Sequence, residues 1–289
     1  MTVQLYCGDC LDILPTIPAQ SVDAVITDPP YPEISRDYGR MTEADWWDMM
    51  MGVCTEVRRI LKPTGSAVFI LQPNSRKVGS MRGWLWEFMA WVCRDWNMVQ
   101  DAYWWNVNAM PVAGANTHGL MRASVKPTIW AGSADCYRNQ DAVLWSESES
   151  NRTQRVAGRA GRSHYVSGWR GDGKAARFKN NDTLFYAAEK RGGVTPYNVQ
   201  PFGPDKGNGA SAHGHSAGTP YPLADWWTRY IVPPGGVVCD PFMGSGTMGL
   251  AAMAHGHSFI GIEQMPKYHE VAQRRIEQAQ PALLTEAAQ

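Results

Sequence analysis

Between Val237 and Glu263 the chain reads VVCDPFMGSGTMGLAAMAHGHSFIGIE: an apolar run, a glycine-rich turn, a helical segment, a second apolar run and an acid. Gly244, Gly246 and Gly249 fit G-x-G-x-x-G at the opening of a helix expected from Thr247 to about His255. Ser258 to Ile262 reads as a buried strand with Glu263 at its end. Glycines let backbone approach a ligand closely, and a carboxylate at a strand end can accept hydrogen bonds from two ribose hydroxyls. The element therefore demands a doubly wound α/β sheet around a nucleoside site. Only one amphipathic segment follows it, Pro266 to about Gln280. The remaining strands must come from the N-terminal part, so the two halves of the sheet occur in permuted order. A dinucleotide site would present the same glycines.

The N-terminal part supplies those strands. Val3 to Tyr6 alternates like a short strand, and Cys7-Gly8-Asp9-Cys10 turns after it. Asp9 can cap the next short helix, Leu11 to Leu14. It also stands at a strand's carboxyl end, where open α/β sheets bind ligands. Ser21 to Thr27 is a strand ending in Asp28-Pro29-Pro30-Tyr31. Two prolines remove N–H donors and restrict φ, leaving a stiff loop of carbonyl acceptors. With the Asp28 carboxyl and the flat Tyr31 ring beside it, the loop suits a planar group bearing an amine. Pro32 to Arg40 is polar and is expected to be irregular and mobile beside the site.

Thr42 reads as a cap for a helix running to about Leu61, with an apolar stripe through Trp46, Met49, Met50, Val53, Val57 and Ile60. Pro63-Thr64-Gly65 is expected to stop the chain before a strand from Ser66 to Leu71. A helix from Arg82 to Trp96 and strands at Met98–Val107, Val125–Ala131 and Ala142–Trp145 follow. Strands alternating with helices mean a largely parallel sheet. Further on, Tyr221-Pro222-Leu223 leads into a helix from Ala224 to Ile231, and Pro233 to Gly236 turns into the glycine element.

Charge is balanced overall, at 27 basic and 27 acidic residues, but not along the chain. Asn151 to Arg191 holds ten basic against three acidic residues, a net of plus seven. Arg152, Arg155, Arg159, Arg162, Arg170, Lys174, Arg177 and Lys179 are interleaved with Tyr165, Trp169, Phe178 and Tyr186 among many glycines. A basic, aromatic, glycine-rich insertion is the electrostatic footprint of a nucleic-acid contact. Gly192 to Gly218 is expected to be flexible, its His213 and His215 facing solvent. The division expected is a catalytic half at 1–145, the basic insertion at 146–215, a ligand-binding half at 216–280 and a tail at 281–289.

Six cysteines form no paired framework, and Cys7-x-x-Cys10 lacks the second pair that a zinc site needs. No metal is expected; reduced, mostly buried thiols are. No signal peptide is evident and no apolar run reaches ~18 residues, so a cytoplasmic protein without a membrane span is expected. Thirteen tryptophans exceed ordinary usage, some for the core and some for stacking on bases.

Together these motifs resemble the S-adenosylmethionine-dependent amino-methyltransferases of DNA, which act on adenine N6 or cytosine N4, in the β-group order. Asp28 to Tyr31 matches that family's catalytic motif. Asp240 to Thr247 matches its cofactor loop, Phe259 to Glu263 its ribose-binding strand end, Gly8 to Leu11 its G-D-x-L segment, and Pro220 to Leu223 the segment before the cofactor loop. The likeness covers roughly 3–145 and 215–278 and leaves the insertion unmatched, as expected of a target-recognition region. It implies a Rossmann-like, mostly parallel doubly wound sheet with that insertion. It implies double-stranded DNA as partner, with the target base flipped out of the stack. Asp28, Pro29, Pro30 and Tyr31 become the catalytic group. Asp9, Cys10, Asp240, Pro241, Phe242, Gly244, Ser245, Gly246, Thr247 and Glu263 become the S-adenosylmethionine site. An Asp at the first motif position usually accompanies adenine in this family and a Ser cytosine, so N6-adenine is expected. The resemblance leaves open a homodimer and a separate restriction endonuclease as partners. A dinucleotide-dependent oxidoreductase would share the glycine loop and the acid, but it gives no role to Asp28–Tyr31 or to the basic insertion.

Overall fold

The computed structural model describes residues 1–37, 39–107, 119–121, 123–146, 167–169, 175–177, 191–203 and 218–286, with backbone alone for 167–169, 175–177 and 280–286. In chain order the elements are β1 (Val3–Cys7), α1 (Cys10–Ile13), β2 (Val22–Thr27), α2 (Glu43–Ile60), β3 (Leu61–Ile70), β4 (Ser75–Lys77), β5 (Ser80–Met81), α3 (Trp84–Asp95), β6 (Met98–Trp105) and β7 (Val125–Gly132). They continue with β8 (Ser167–Trp169), β9 (Ala175–Arg177), β10 (Val199–Pro201), α4 (Tyr221–Ile231), β11 (Val237–Asp240), α5 (Thr247–Ala254), β12 (Ser258–Glu263) and α6 (Pro266–Glu286).

Eight strands form the main sheet in the order β1-β12-β11-β2-β3-β7-β6-β10. Among the described residues five neighbouring pairs are parallel; β7 runs antiparallel to both β3 and β6. This is the mostly parallel, Rossmann-like α/β sheet expected. The permutation is explicit in the pairing, for β2, from the first part of the chain, lies against β11, with Val238 opposite Ala24 and Cys239 opposite Val25. From β11 the chain winds outward to β12, and from β2 it winds the other way to β3. The carboxyl ends of β11 and β2 thus flank a topological switch point, where such sheets bind ligands.

Every residue of β2 is buried, as a central strand covered on both faces requires. On one face α1, α2 and α3 pack Leu14, Trp46, Met50, Val53, Val57, Trp84 and Phe88 over Val25, Ala67, Phe69 and Ile262. Trp46 meets Trp84 and Phe88 edge-on at centroid distances of 4.7 and 5.4 Å. On the other face α4 brings Trp227 and Tyr230 within 5.8 and 5.3 Å of Trp130 on β7. Most of the tryptophan excess is accounted for here, since Trp46, Trp84, Trp104, Trp130, Trp226 and Trp227 are all buried.

Several sequence expectations change. Ala142–Trp145 is not a strand: Gln140–Val143 forms a single 3-10 turn, with Asn139 Oδ1 accepting from the Ala142 N–H, and Trp145 makes only an isolated bridge to Val194. A side chain that caps the backbone locally outcompetes a ladder there. β3 begins at Leu61, ahead of the expected Pro63–Gly65 stop, and a register shift against β2 accommodates the proline. β10 lies in a stretch read as loop; its three residues are too few to show a period. Helix α6 runs past Gln280 to Glu286.

The chain separates into two compact units, Met1–Arg138 with Asn198–Gln289, and Asn139–Tyr197. The second, taken by itself, contains the β8–β9 hairpin, an edge-on Trp145–Tyr197 pair at 5.2 Å and a hydrogen bond from Arg191 Nε to Asp141 of 2.7 Å. Among the described residues no helix is long and apolar enough to cross a membrane.

Candidate active site

At the switch point a cavity of about 330 Å³ opens between the strand ends. Its walls include Asp9 and Cys10 after β1, Asp28 to Tyr31 after β2, Asp240 to Ser245 and Thr247 after β11, and Glu263 at the end of β12. The structure thus gathers from four strand ends every catalytic and cofactor residue singled out in the sequence, except Gly246. Gly246 sits just outside as the cap of α5, at φ +81°. There an L side chain would be strained and would press on Ala272 at 3.1 Å. Gly249, one turn on, lets α5 lie against β12, because a Cβ would meet the Phe259 ring at 2.8 Å.

The glycine side is a set of fixed backbone donors around acids. Glu263 accepts from Gly244 N at 2.9 Å and from Met265 N at 2.8 Å, one bond to each oxygen. Burial raises its pKa, and those two N–H bonds and His269 pull the other way. Asp240 is buried, accepts from the Thr27 hydroxyl at 2.6 Å and from Phe242 N at 3.1 Å, and joins β11 to β2. Burial pushes its pKa up to about 7, against those two hydrogen bonds and with the help of the charges on Asp28 and Glu263. Arg275 of α6 donates to Ser245 Oγ at 2.9 Å and steadies the loop from behind. Asp9 caps α1 by accepting from Leu11 N at 2.9 Å while also facing the cavity, so its two readings coexist. Cys10 and Cys239 are buried, and burial raises both thiols, Cys10 to about 12. Neither is a poised nucleophile.

The Asp28 side is built from side chains. The Trp46 indole, wholly buried in α2, donates to the Pro30 carbonyl at 2.7 Å and anchors the stiff loop on the core. The Tyr31 hydroxyl donates to Asp28 Oδ1, and the Thr219 hydroxyl donates to Asp28 Oδ2 at 3.1 Å. Lys126 of β7 places its ammonium 4.6 Å from the Trp104 ring, 5.6 Å from the Tyr31 ring and 3.4 Å from the Tyr31 oxygen. Desolvation lowers the Lys126 pKa; the Asp28 charge opposes that fall and Arg36 adds to it. The segment after the motif, expected to be irregular, is tied down. Glu33 N bonds Met41 O at 2.7 Å, and the Tyr268 hydroxyl of α6 donates to Asp37 at 2.5 Å.

A family profile described as DNA methylase, of the N6/N4 methyltransferases, matches residues 22–274, most of the chain. The chain belongs to this N6/N4 DNA methylase family. Its members are S-adenosylmethionine-dependent amino-methyltransferases, and the fold agrees. The chain is 23% identical over 279 residues to the type II methyltransferase M.PvuII of Proteus hauseri, covering 91% of this chain and 80% of that one. It is 26% identical over 278 residues to the DNA adenine methyltransferase YhdJ of Escherichia coli, covering 94% and 82%. Among solved structures, the cytosine-N4-specific PvuII DNA methyltransferase superposes with a TM-score of 0.70 at 19% identity, over 99% of this chain and 93% of that one. The TTHA0409 DNA modification methylase of Thermus thermophilus, solved with S-adenosyl-L-methionine, superposes with a TM-score of 0.58 at 19% identity, over 96% of each.

Within this N6/N4 methylase site, sequence reasoning missed Thr219, Lys126, Arg36 and Tyr268. Thr219 had a visible cue, for it immediately precedes the Pro220–Leu223 segment. Lys126 had none, being one cation in an apolar strand. Of the basic residues proposed for DNA, only Arg177 falls within a described element, β9, and for its backbone alone. Arg152, Arg155, Arg159, Arg162, Arg170, Lys174 and Lys179 lie outside the described residues or carry no described side chain.

Proposed function

We propose that the chain methylates the exocyclic N6 of adenine in double-stranded DNA, with Asp28, Pro29, Pro30 and Tyr31 as its catalytic group. The observation that carries this reading is the Asp28 carboxyl on the wall of a cavity whose opposite wall is the glycine loop and Glu263. The cavity's residues fit the methyl donor. Glu263 keeps outward lone pairs for two ribose hydroxyls, Asp9 and Cys10 stand across from it, and Phe242 to Thr247 supply close backbone. When bound, S-adenosylmethionine supplies an electrophilic methyl on a sulfonium.

The protein's task is to make a poor nucleophile attack. An exocyclic amine delocalises its lone pair into the ring. Asp28 and the Pro29 carbonyl accept its two N–H bonds, which favours a pyramidal nitrogen with the lone pair directed at the methyl. The Pro30 carbonyl is committed to Trp46, so the choice of acceptor falls on Pro29. Tyr31 stacks on the base, which must leave the duplex to enter. Asp28 is the acceptor within reach for the proton that the nitrogen then sheds.

Adenine is favoured by Asp at the first motif position and by the likeness to an adenine methyltransferase. Cytosine N4 is the second reading, favoured by the likeness to the cytosine-N4-specific PvuII structure. The test is to incubate the protein with labelled S-adenosylmethionine and unmethylated duplex DNA, digest to nucleosides and weigh the product. N6-methyladenine supports the reading; N4-methylcytosine replaces the base and keeps the mechanism; no methylated nucleoside overturns it.

The basic insertion is proposed as the DNA-binding region. Replacing Arg152, Arg155, Arg159 and Arg162 by Gln is expected to weaken DNA binding. It should also flatten the log–log salt dependence by about 0.9 for each phosphate that the protein no longer neutralises. An unchanged slope would place these residues away from DNA.

A further inference from the structure

Asp28 is engaged on both oxygens by hydroxyls from opposite ends of the chain. Tyr31 donates to Oδ1 from three positions away, and Thr219 donates to Oδ2 at 3.1 Å from 191 positions away. The two donors differ in kind. Thr219 is 9% exposed, stands between Gly218 and Pro220, and enters α4, whose Leu223, Ala224 and Trp227 are buried in the core. Its hydroxyl rides on a fixed piece of backbone. Tyr31 is only half-buried and has a second polar neighbour, the Lys126 ammonium at 3.4 Å from its oxygen.

We infer that Thr219 is a positioning residue for methyl transfer: it holds Asp28 Oδ2 and so presents Oδ1 as the oxygen on which the amine of the target base replaces the Tyr31 hydroxyl. This rests on the methyl-transfer reading above. The physical case is one of matching donors. A carboxyl in a mostly apolar pocket is costly to leave without donors. Before the base arrives Tyr31 fills Oδ1; afterwards the base N–H fills it, and Oδ1 has a donor at both stages. Lys126 stays beside the Tyr31 oxygen when it lets go, so the phenol also keeps a polar partner. An exchange of this kind works only if the carboxyl does not turn about its own bond as Tyr31 leaves. The Thr219 hydroxyl resists that rotation, because it is the donor on the other oxygen and its backbone does not move with Tyr31.

The test compares wild type, Thr219→Val and Thr219→Ser in steady-state methyl transfer, with cofactor affinity measured separately by calorimetry. Valine keeps the shape and removes the donor; serine keeps the donor. Valine is expected to lower kcat at saturating DNA and cofactor by about thirtyfold, the scale of one charge-assisted hydrogen bond. Cofactor Kd should stay within about twofold, and serine should recover kcat to within about threefold of wild type. If valine unfolds the chain, Thr219→Ala serves in its place. An active wild type with an equally active valine or alanine variant would overturn the inference and leave the functional reading standing. So would a serine variant as impaired as valine, since the hydroxyl would then not be what matters. A wild type that transfers no methyl group to DNA overturns the functional reading and this inference with it.

Discussion

The ends of β11 and β2 face the same cavity but are secured in opposite ways. The glycine loop after β11 is held by near neighbours in sequence: Gly244 to Glu263 spans 19 positions and Ser245 to Arg275 spans 30. The Asp28 loop after β2 is held from far away, by Lys126 at 95 positions from Tyr31 and Thr219 at 191 from Asp28. One wall is a self-contained backbone cradle. The other is assembled from β7, α2 and the entrance to α4. The difference teaches that binding the methyl donor and carrying out the transfer should respond to different substitutions.

The largest effect expected is at Asp28. Asp28→Ala should lower methyl transfer by about a thousandfold or more while cofactor Kd, measured by calorimetry, changes little. A variant that still turns over would remove Asp28 from the chemistry, and a variant that no longer binds cofactor would erase the distinction between the walls. The converse is Glu263→Gln, which keeps the shape but cannot accept both backbone N–H bonds and two hydroxyls. Cofactor binding should weaken about tenfold to hundredfold, with kcat at saturation nearly unchanged. A fall in saturated kcat as large as the fall in affinity would show the cradle acting in the chemical step.

The smallest expected effect concerns Asp240, where the walls meet. Its pKa is near 4 in the unfolded chain and about 7 in the folded one. The folded state holds that proton more tightly, so this group's contribution favours folding most below about pH 4 and is lost as pH rises to about 7. Asp240→Asn removes the titration while still accepting from Thr27 and Phe242. Its Tm relative to wild type should therefore rise by about 2–4 °C between those pH values. A pH-independent difference would mean that Asp240 stays ionised across that range.

The same contrast explains what could be read from the chain alone. The glycine loop, Glu263 and Asp28–Tyr31 are legible because their chemistry is local: a turn needs glycines at set offsets, and a strand end needs a carboxylate. The order of the two motifs was enough to require the permuted sheet, which the β11–β2 pairing contains. Lys126 was not legible, since its place between Trp104 and Tyr31 depends on β7 folding back beside β3, and no spacing in Ser124–Trp130 encodes that. The short β10 escaped for a related reason, as its one parallel neighbour, β6, defines it more than its own residues do. Ala142–Trp145 misled because apolar residues near a turn look like a strand until Asn139 claims the local N–H.

The partner of β1 has a consequence for how the molecule comes into being. β1 lies against β12, and Thr2 N reaches Ser258 Oγ across 256 positions. During synthesis the first strand made must wait for one of the last. Until β12 emerges, β1 has no neighbour, β2 lacks β11 on one side, and the cradle lacks Glu263. Loop closure over such separations is slow, and unpaired strand edges invite association between chains. The nascent protein is thus at its most aggregation-prone shortly before it first becomes able to hold its methyl donor.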